Sequence, residues 1–223
     1  KNLNLEIKKG FNYAFVGSSG AGKSTIIDLF LGLLEPSKGN ILIDKINLKN
    51  IGTRKWQNKI SYVPQDPLIS DLSLRENIAF GVPKELIDNE RIYYCLKQTD
   101  MFEVSKTLKH GIYTNLGNEG ITLSGGQKQR VAISRALYHQ SEIIILDEAT
   151  SALDIETEKI FVKNLLKKFK NSTIIMITHR LSNVINADKI LVFEKGYLSE
   201  QGDHESLLKN KSSYYSLLNI EEE

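Results

Sequence analysis

The feature that most constrains the fold is an apolar run that leads directly into a glycine-rich loop. Residues 13–16 read Tyr-Ala-Phe-Val, the loop Gly-Ser-Ser-Gly-Ala-Gly-Lys-Ser follows, and apolar residues then recur at helical spacing. This pattern predicts a buried strand, a tight loop and a helix that begins near Lys23. Backbone N–H groups of such a loop can surround a phosphate, while Lys23 neutralises its charge and Ser24 offers a hydroxyl to Mg²⁺. The alternative is a glycine-rich turn that merely joins a strand to a helix.

Two later runs predict central strands of a parallel sheet. Residues 143–146 and 173–177 are short, apolar and β-branched, as expected of strands covered on both faces by helices. Asp147 and Glu148 follow the first run, at the end of a strand where open α/β sheets bind ligands. Asp147 is a candidate to hold Mg²⁺ together with Ser24, and Glu148 is a candidate to orient or deprotonate the attacking water. A carboxylate that caps the next helix is the alternative.

A third motif, Leu123-Ser124-Gly125-Gly126-Gln127, lies at the amino end of a predicted helix. Unpaired N–H groups and the helix dipole make such an end an anion-binding position. With the phosphate loop before it and Asp147-Glu148 after it, the chain resembles the nucleotide-binding domain of ATP-binding cassette (ABC) transporters over nearly all of its length. The resemblance implies an α/β fold of the P-loop NTPase type. Its parts are a RecA-like core, an ABC antiparallel β-subdomain that is N-terminally truncated here, and an inserted α-helical subdomain.

The change of pattern along the chain predicts where these parts lie. We predict a single ABC domain over residues 1–223, with a core at about 1–66 and 141–223 and a helical subdomain at about 67–140. The membrane domain and first strand of the family are expected upstream of Lys1, since the chain does not begin with Met. A helix is predicted after His204, and further strands are predicted over residues 3–7, 39–44, 60–63, 189–193 and 197–200.

The resemblance also implies roles for individual residues. His179 corresponds to a family histidine that contacts the γ-phosphate, and Gln65 to a glutamine that reaches the metal and the attacking water. The implied catalytic residues are Glu148, His179 and Gln65, and the implied metal ligands are Ser24, Gln65 and Asp147. The implied ATP-binding residues are Gly17, Ser18, Ser19, Gly20, Ala21, Gly22, Lys23, Ser24 and Thr25. The segment that resembles the loop coupling two active sites across a dimer is Ser151, Ala152, Leu153 and Asp154. A helix start is the alternative for that segment.

The position of residues 123–127 predicts a dimer. They have no phosphate loop of their own to complete, so we expect them to dock on ATP held by another copy of the chain. In the resulting head-to-tail homodimer, Ser124 and the neighbouring glycine N–H groups of one chain contact the γ-phosphate bound at Lys23 of the other. ATP and Mg²⁺ are the implied cofactors.

Several segments resemble exporter-type cassettes, namely residues 74–81, 149–154, 178–182 and 200–204. The resemblance implies an ATPase that powers export, or flipping of a lipid or lipid-linked substrate. It would act at the cytoplasmic face of a membrane, with a transmembrane domain of the same polypeptide as partner. Residues 117–120 resemble a loop that touches that domain, with Asn118-Glu119 in place of the usual Glu-Arg or Glu-Lys pair. The adenine-stacking aromatic residue of the family would precede Lys1, and Tyr13 is expected in the core instead.

Composition narrows the alternatives. The net charge of +2 and the scattered Lys and Arg residues argue against a nucleic-acid surface, and no apolar run is long enough to span a membrane. The lone Cys95 is expected to be an ordinary buried or half-buried thiol. A soluble ABC ATPase acting on nucleic acid or ribosomes is the leading alternative function. A P-loop kinase would leave residues 123–127 unexplained.

Overall fold

The chain divides into two compact units. The first unit consists of Lys1–Ser61, Glu142–Glu148 and Lys159–Glu223, and the second of Tyr62–Ser141 and Ala149–Glu158. The structure is a computed structural model that describes residues 2–117, 123–150, 155–169, 171–180 and 183–221. None of the helices in those ranges combines the length and apolarity that crossing a bilayer requires.

The main sheet is mixed, with a parallel centre. Its strand order is β4-β5-β6-β1-β7-β8, and β2 with β3 forms a separate antiparallel pair. Strand β1 runs parallel to β6 and β7, β5 runs parallel to β6, and β8 is antiparallel to β7. The predicted α/β class is therefore confirmed. The strands are β1 (Asn12–Val16), β2 (Leu42–Ile43), β3 (Ile46–Asn47), β4 (Ile60–Val63), β5 (Ile143–Asp147), β6 (Thr173–Ile177), β7 (Lys189–Glu194) and β8 (Tyr197–Gly202).

Helices follow the strands in the first unit and dominate the second. The predicted helix at Lys23 is confirmed, and so is the one after His204. Within the described ranges, 3-10 helices include Lys84–Leu86 and Gly111–Tyr113. The α-helices are α1 (Lys23–Phe30), α2 (Leu48–Ile51), α3 (Thr53–Gln57), α4 (Leu74–Ile78), α5 (Asn89–Gln98), α6 (Phe102–Thr107), α7 (Gly125–His139), α8 (Ile155–Lys168), α9 (His204–Asn210) and α10 (Ser213–Glu221).

Residues 13–16 of strand β1 are all apolar because each face of the strand meets a different hydrophobic cluster. Tyr13 and Phe15 belong to a cluster with Ile27 of α1, whereas Ala14 and Val16 belong to another cluster with Tyr214 of α10. Successive side chains of a strand point to opposite faces, so a central strand covered on both sides must be apolar at every position. Tyr13 is 2% exposed, which confirms its predicted place in the core.

The second unit is built around α7. Helices α4 and α5 pack on it, and Ile78, Leu96 and Val131 are fully buried. Cys95 is also buried, as predicted, and burial raises the pKa of its thiol to about 11. A thiol with so high a pKa is almost wholly protonated at neutral pH, so it is a poor nucleophile.

Two strand predictions need correction. The strand predicted over residues 3–7 is wrong, because that segment forms no strand within the described range 2–117. Leu5 and Ile7 nevertheless pack against the cluster of Tyr13 and Phe15, whereas Leu3, the third apolar residue of the alternation, is exposed. The strand predicted over residues 39–44 is reduced to Leu42–Ile43. Alternation specifies a buried face, but a strand also needs a neighbouring strand to bond with.

Candidate functional site

The phosphate loop joins β1 to α1 and is packed tightly against β7. Gly17 has a backbone φ of 145°, and a Cβ at this position would overlap the carbonyl oxygen of Phe193. Gly22, at the amino end of α1, has a φ of 101°. Both angles lie where L side chains are strained, so the backbone conformation favours glycine at both positions, and at Gly17 the lack of space requires it as well.

The turn between β7 and β8 supports the same loop. Lys195 and Gly196 have φ angles of 48° and 84°, as in the two-residue turns that suit the twist of a hairpin. The Gly196 N–H donates a hydrogen bond of 3.0 Å to the Ala21 carbonyl. Sequence reasoning located Gly196 between the last two strands but assigned it no part in the site. The lone glycine between two predicted strands was the available signal for the turn, and only the sheet order shows what the turn touches.

Lys23 lies inside the phosphate loop. Its side chain is buried, and Nζ donates to the carbonyl oxygens of Gly17 at 2.7 Å and Ser18 at 3.0 Å. Burial lowers the pKa of Lys23, and the charges of Glu148 and Asp147 oppose that shift. The two acidic side chains therefore act electrostatically on the loop lysine. Other loop positions face solvent, namely Ser18, Ser19, Gly20, Ser24 and Thr25.

Three candidate residues meet at the carboxyl ends of β5 and β6. These parallel neighbours pair Asp147 with Ile177, and the Glu148 N–H donates to the Ile177 carbonyl at 2.9 Å. Two residues beyond Ile177, His179 brings Nε2 to 3.0 Å from Glu148 Oε1. Glu148 has a φ of 48°, an unusual value for a residue that is not glycine. Backbone strain of this kind is concentrated at functional sites.

Residues 123–127 begin α7 with a capping box. Ser124 is the N-cap, its Oγ accepts a bond of 3.2 Å from the Gln127 N–H, and Gln127 Oε1 accepts one of 2.9 Å from the Ser124 N–H. Leu123 is buried, whereas Ser124 and Gly125 are exposed. Because the Ser124 hydroxyl accepts in this box, its own proton remains to be donated.

The candidate residues are thus distributed over both units. The phosphate loop, Asp147, Glu148 and His179 belong to the first unit, and Gln65 and residues 123–127 belong to the second. The Gln65 side chain is exposed. The backbone carbonyl oxygen of Gln65 accepts a hydrogen bond of 3.2 Å from Gln129 Nε2 of α7. The predicted coupling segment, Ser151, Ala152, Leu153 and Asp154, lies outside the described residues, as do Asn118 and Glu119.

Comparison with known proteins agrees with this geometry. The family model described as ABC transporter matches residues 1–151. The chain belongs to the ABC transporter family. Membership of this ABC family implies that the chain binds ATP, as predicted from the phosphate loop.

The relatives of this ABC domain include exporter proteins. It is 44% identical over 217 residues to the leukotoxin translocation ATP-binding protein LktB of Mannheimia glucosida, covering 97% of this chain and 30% of LktB. It is 39% identical over 218 residues to ATP-binding cassette sub-family B member 5 of Mus musculus, covering 98% of this chain and 17% of that protein. The chain therefore spans less than a third of the length of these curated relatives.

A solved structure gives the same result. A bacterial Atm1-family ABC exporter with ATP bound superimposes with a TM-score of 0.89 at 35% identity, covering 97% of this chain and 38% of the exporter chain. The predicted similarity to exporter-type ABC ATP-binding domains is confirmed by these relatives.

Proposed function

We propose that this ABC domain hydrolyses ATP to power export across a membrane. The observation that carries the proposal is the contact between Glu148 and His179 at the end of the sheet that also supplies the phosphate loop. Phosphoryl transfer to water needs a cradle for the phosphates and a group that orients the attacking water. In this proposal, residues 17–25 form the cradle and Glu148 orients the water, with His179 holding the Glu148 carboxylate and contacting the γ-phosphate.

The chemistry of the available ligands fits Mg²⁺. Mg²⁺ binds through one or two protein oxygen ligands together with phosphate oxygens, and Ser24 and Asp147 offer a hydroxyl and a carboxylate. Bound there, the ion would neutralise charge on the transferring phosphate. Asp147 acts electrostatically on Lys23, the residue next to Ser24, which supports its assignment to the same site. The metal role of Gln65 stays a prediction from the family resemblance.

The proposed working state is a head-to-tail homodimer. Gly125 and Gly126 are the first residues of α7, whose unpaired N–H groups favour an anion. The Ser124 hydroxyl has a proton left to donate, so residues 123–127 can bind the γ-phosphate held by a second copy. The coupling role of residues 151–154 in this dimer stays a prediction.

The proposed partner is a transmembrane domain of the same polypeptide, with the ABC domain at the cytoplasmic face of the membrane. Two relatives named for translocation or export support this assignment. ATP-driven closing and opening of the dimer would then drive transport.

The test combines mass and turnover. Light scattering of purified Glu148→Gln protein should show a monomer without nucleotide and a dimer with Mg-ATP, because the variant binds ATP but cannot activate water. Wild-type protein should hydrolyse ATP, and Glu148→Gln should lose at least about 100-fold in kcat.

The matched control is the double variant Glu148→Gln with Lys23→Met, which should stay monomeric because it cannot hold ATP. A Glu148→Gln protein that binds ATP and remains a monomer would contradict the role proposed for residues 123–127. Wild-type turnover that survives in Glu148→Gln would instead contradict the role of Glu148.

A further inference from the structure

The carboxyl end of α1, the helix that carries the phosphate loop, is completely hydrogen-bonded. The last four carbonyl groups of a helix normally lack partners within it. Here the carbonyls of Ile27, Asp28 and Leu29 accept from the N–H groups of the residues that follow the helix, at 2.7 to 3.2 Å. The two carbonyls that come next in the chain accept from side chains of a different helix.

Those two donors are adjacent residues of α3. Trp56 Nε1 donates to the Phe30 carbonyl at 2.6 Å, and Gln57 Nε2 donates to the Leu31 carbonyl at 3.0 Å. The indole of Trp56 is buried and meets the Phe30 ring edge-on, with centroids 5.3 Å apart. One helix thus caps the end of the other through two directed hydrogen bonds and a ring contact.

Gly32 allows the two helices to approach so closely. Its φ is +71°, and a Cβ there would lie 2.9 Å from the methyl carbon of Thr53, the first residue of α3. A larger residue at position 32 would push α3 away and lengthen both hydrogen bonds.

We propose that Trp56 and Gln57 are positioning residues for ATP: by capping the carboxyl end of α1, they hold its amino end, with Lys23 and Ser24, in the geometry that binds the phosphates. The inference rests on the proposed role of the phosphate loop. Both side chains donate at the carboxyl end of α1, whereas the loop precedes its amino end, so we infer that they act on the loop through the helix.

The length of α1 makes such a cap effective. The helix has eight residues, about two turns, and helices this short are marginal on their own. Fraying from an uncapped carboxyl end would reach the first turn, where Lys23 and Ser24 lie. Donors at the carboxyl end also complement the helix dipole, whose positive end faces the phosphates.

The test separates binding from turnover in matched variants of Gln57. Gln57→Met keeps the length of the side chain and removes its N–H donor, whereas Gln57→Arg restores a donor. We expect ATP titration by calorimetry to give a Kd raised about threefold to tenfold for Gln57→Met and nearly restored for Gln57→Arg. The KM for ATP should rise with Kd while kcat stays within about twofold, because Asp147 and Glu148 lie on other elements. Arg54→Met, at an exposed position of the same helix, should leave Kd unchanged.

Trp56→Phe provides a second variant, because it keeps an aromatic ring and deletes the indole donor to Phe30. A Gln57→Met protein with a lower Tm and unchanged Kd and KM would overturn the inference, since a merely structural role predicts that result. A rise in Kd that Gln57→Arg fails to reverse would overturn it as well. Wild-type protein that binds no ATP would overturn the proposed function, and the inference with it.

Discussion

Gly17 and Glu148 both have backbone conformations that L side chains rarely adopt, with φ angles of 145° and 48°. Gly17 tolerates its angle because it has no Cβ. Glu148 tolerates its angle because the N–H bond to Ile177 and the contact with His179 fix it from both sides. Such strain persists only where the surroundings over-determine the conformation, and at Glu148 it aims the carboxylate at His179.

Gly17→Ala should weaken ATP binding while leaving the chain folded. The new methyl group would overlap the Phe193 carbonyl, and strand β7 is too firmly paired to move, so the phosphate loop must shift instead. We expect a rise in the Kd for ATP of at least about tenfold, measured by calorimetry on protein whose circular dichroism matches the wild type.

Gly39→Ala is the matched control for this substitution. Gly39 also has a positive φ, of +83°, but a Cβ there would meet no atom within 4 Å. This variant should lose about 1 kcal/mol of stability and keep its ATP affinity. Equal losses of affinity in the two variants would mean that general destabilisation, and not the clash with Phe193, weakens binding.

At the scale of elements, α4 and α7 begin with the same capping box. Ser73 and Glu76 form it in α4, Ser124 and Gln127 form it in α7, and both N-cap serines have φ −62° and ψ 160°. Ser124→Ala and Ser73→Ala should therefore each cost about 1 kcal/mol in urea unfolding. Only Ser124→Ala should also reduce ATPase activity, by at least about tenfold, because only Ser124 is proposed to contact the γ-phosphate.

This comparison separates capping from catalysis. ATPase losses of similar size in Ser73→Ala and Ser124→Ala would show that activity depends on the stability of the second unit. In that case the hydroxyl of Ser124 would need no contact with nucleotide to explain its effect.

A helix or strand could be predicted from the sequence wherever the residues of that segment alone determine its conformation and burial. Residues 143–146 and 173–177 are apolar at every position except Thr173, which predicts covered strands, and both strands are confirmed. The wrong strand over residues 3–7 shows the limit of this reasoning, since pairing depends on a neighbour that the segment does not contain.

The same limit applies to the site. The phosphate loop is contiguous, so the succession of strand, loop and helix could be predicted from neighbouring residues alone. The contact of His179 with Glu148 depends on β5 and β6 being neighbours, and the Gly196 bond to Ala21 depends on β7 lying beside β1. Neither pair of neighbouring strands can be predicted from the spacing of residues along the chain. The capping of α1 by Trp56 was missed for the same reason, because a lone tryptophan does not reveal its partner.

At the scale of the molecule, the two ends of the parallel strands in the first unit carry different groups of residues. The carboxyl ends of its parallel strands carry the phosphate loop, Asp147 and Glu148. The amino ends carry an ion cluster in which Glu142 Oε1 lies 2.7 Å from Lys59 Nζ and Oε2 lies 2.9 Å from Lys9 Nζ. This cluster connects three segments that are distant in the sequence. It therefore stabilises the fold at the amino ends of the strands, which are opposite the candidate site.

Glu142→Gln should therefore destabilise the protein without changing the KM for ATP. Hydrogen bonds from Lys59 and then Lys9 lower the pKa of Glu142 to about 2, from a usual 4.5. The carboxylate thus contributes its stability fully above about pH 4.5, and loses it as the pH falls toward 2. Since Glu142 is 44% exposed, the loss at pH 7 should not exceed about 1 kcal/mol in urea unfolding.

The pH dependence of the stability difference shows whether Glu142 stabilises the fold through its charge or through the packing of its side chain. The stability difference between wild type and Glu142→Gln should be constant from pH 7 to 5 and should narrow by pH 3.5, because the wild-type advantage requires the ionised carboxylate. Glu35→Gln, which removes one exposed ion pair with Lys49, should show a smaller difference at pH 7. If the difference for Glu142→Gln were the same at pH 3.5 as at pH 7, packing of the side chain would account for it. A raised KM for ATP in Glu142→Gln would mean that the ion cluster at the amino ends of the strands is coupled to the candidate site at their carboxyl ends.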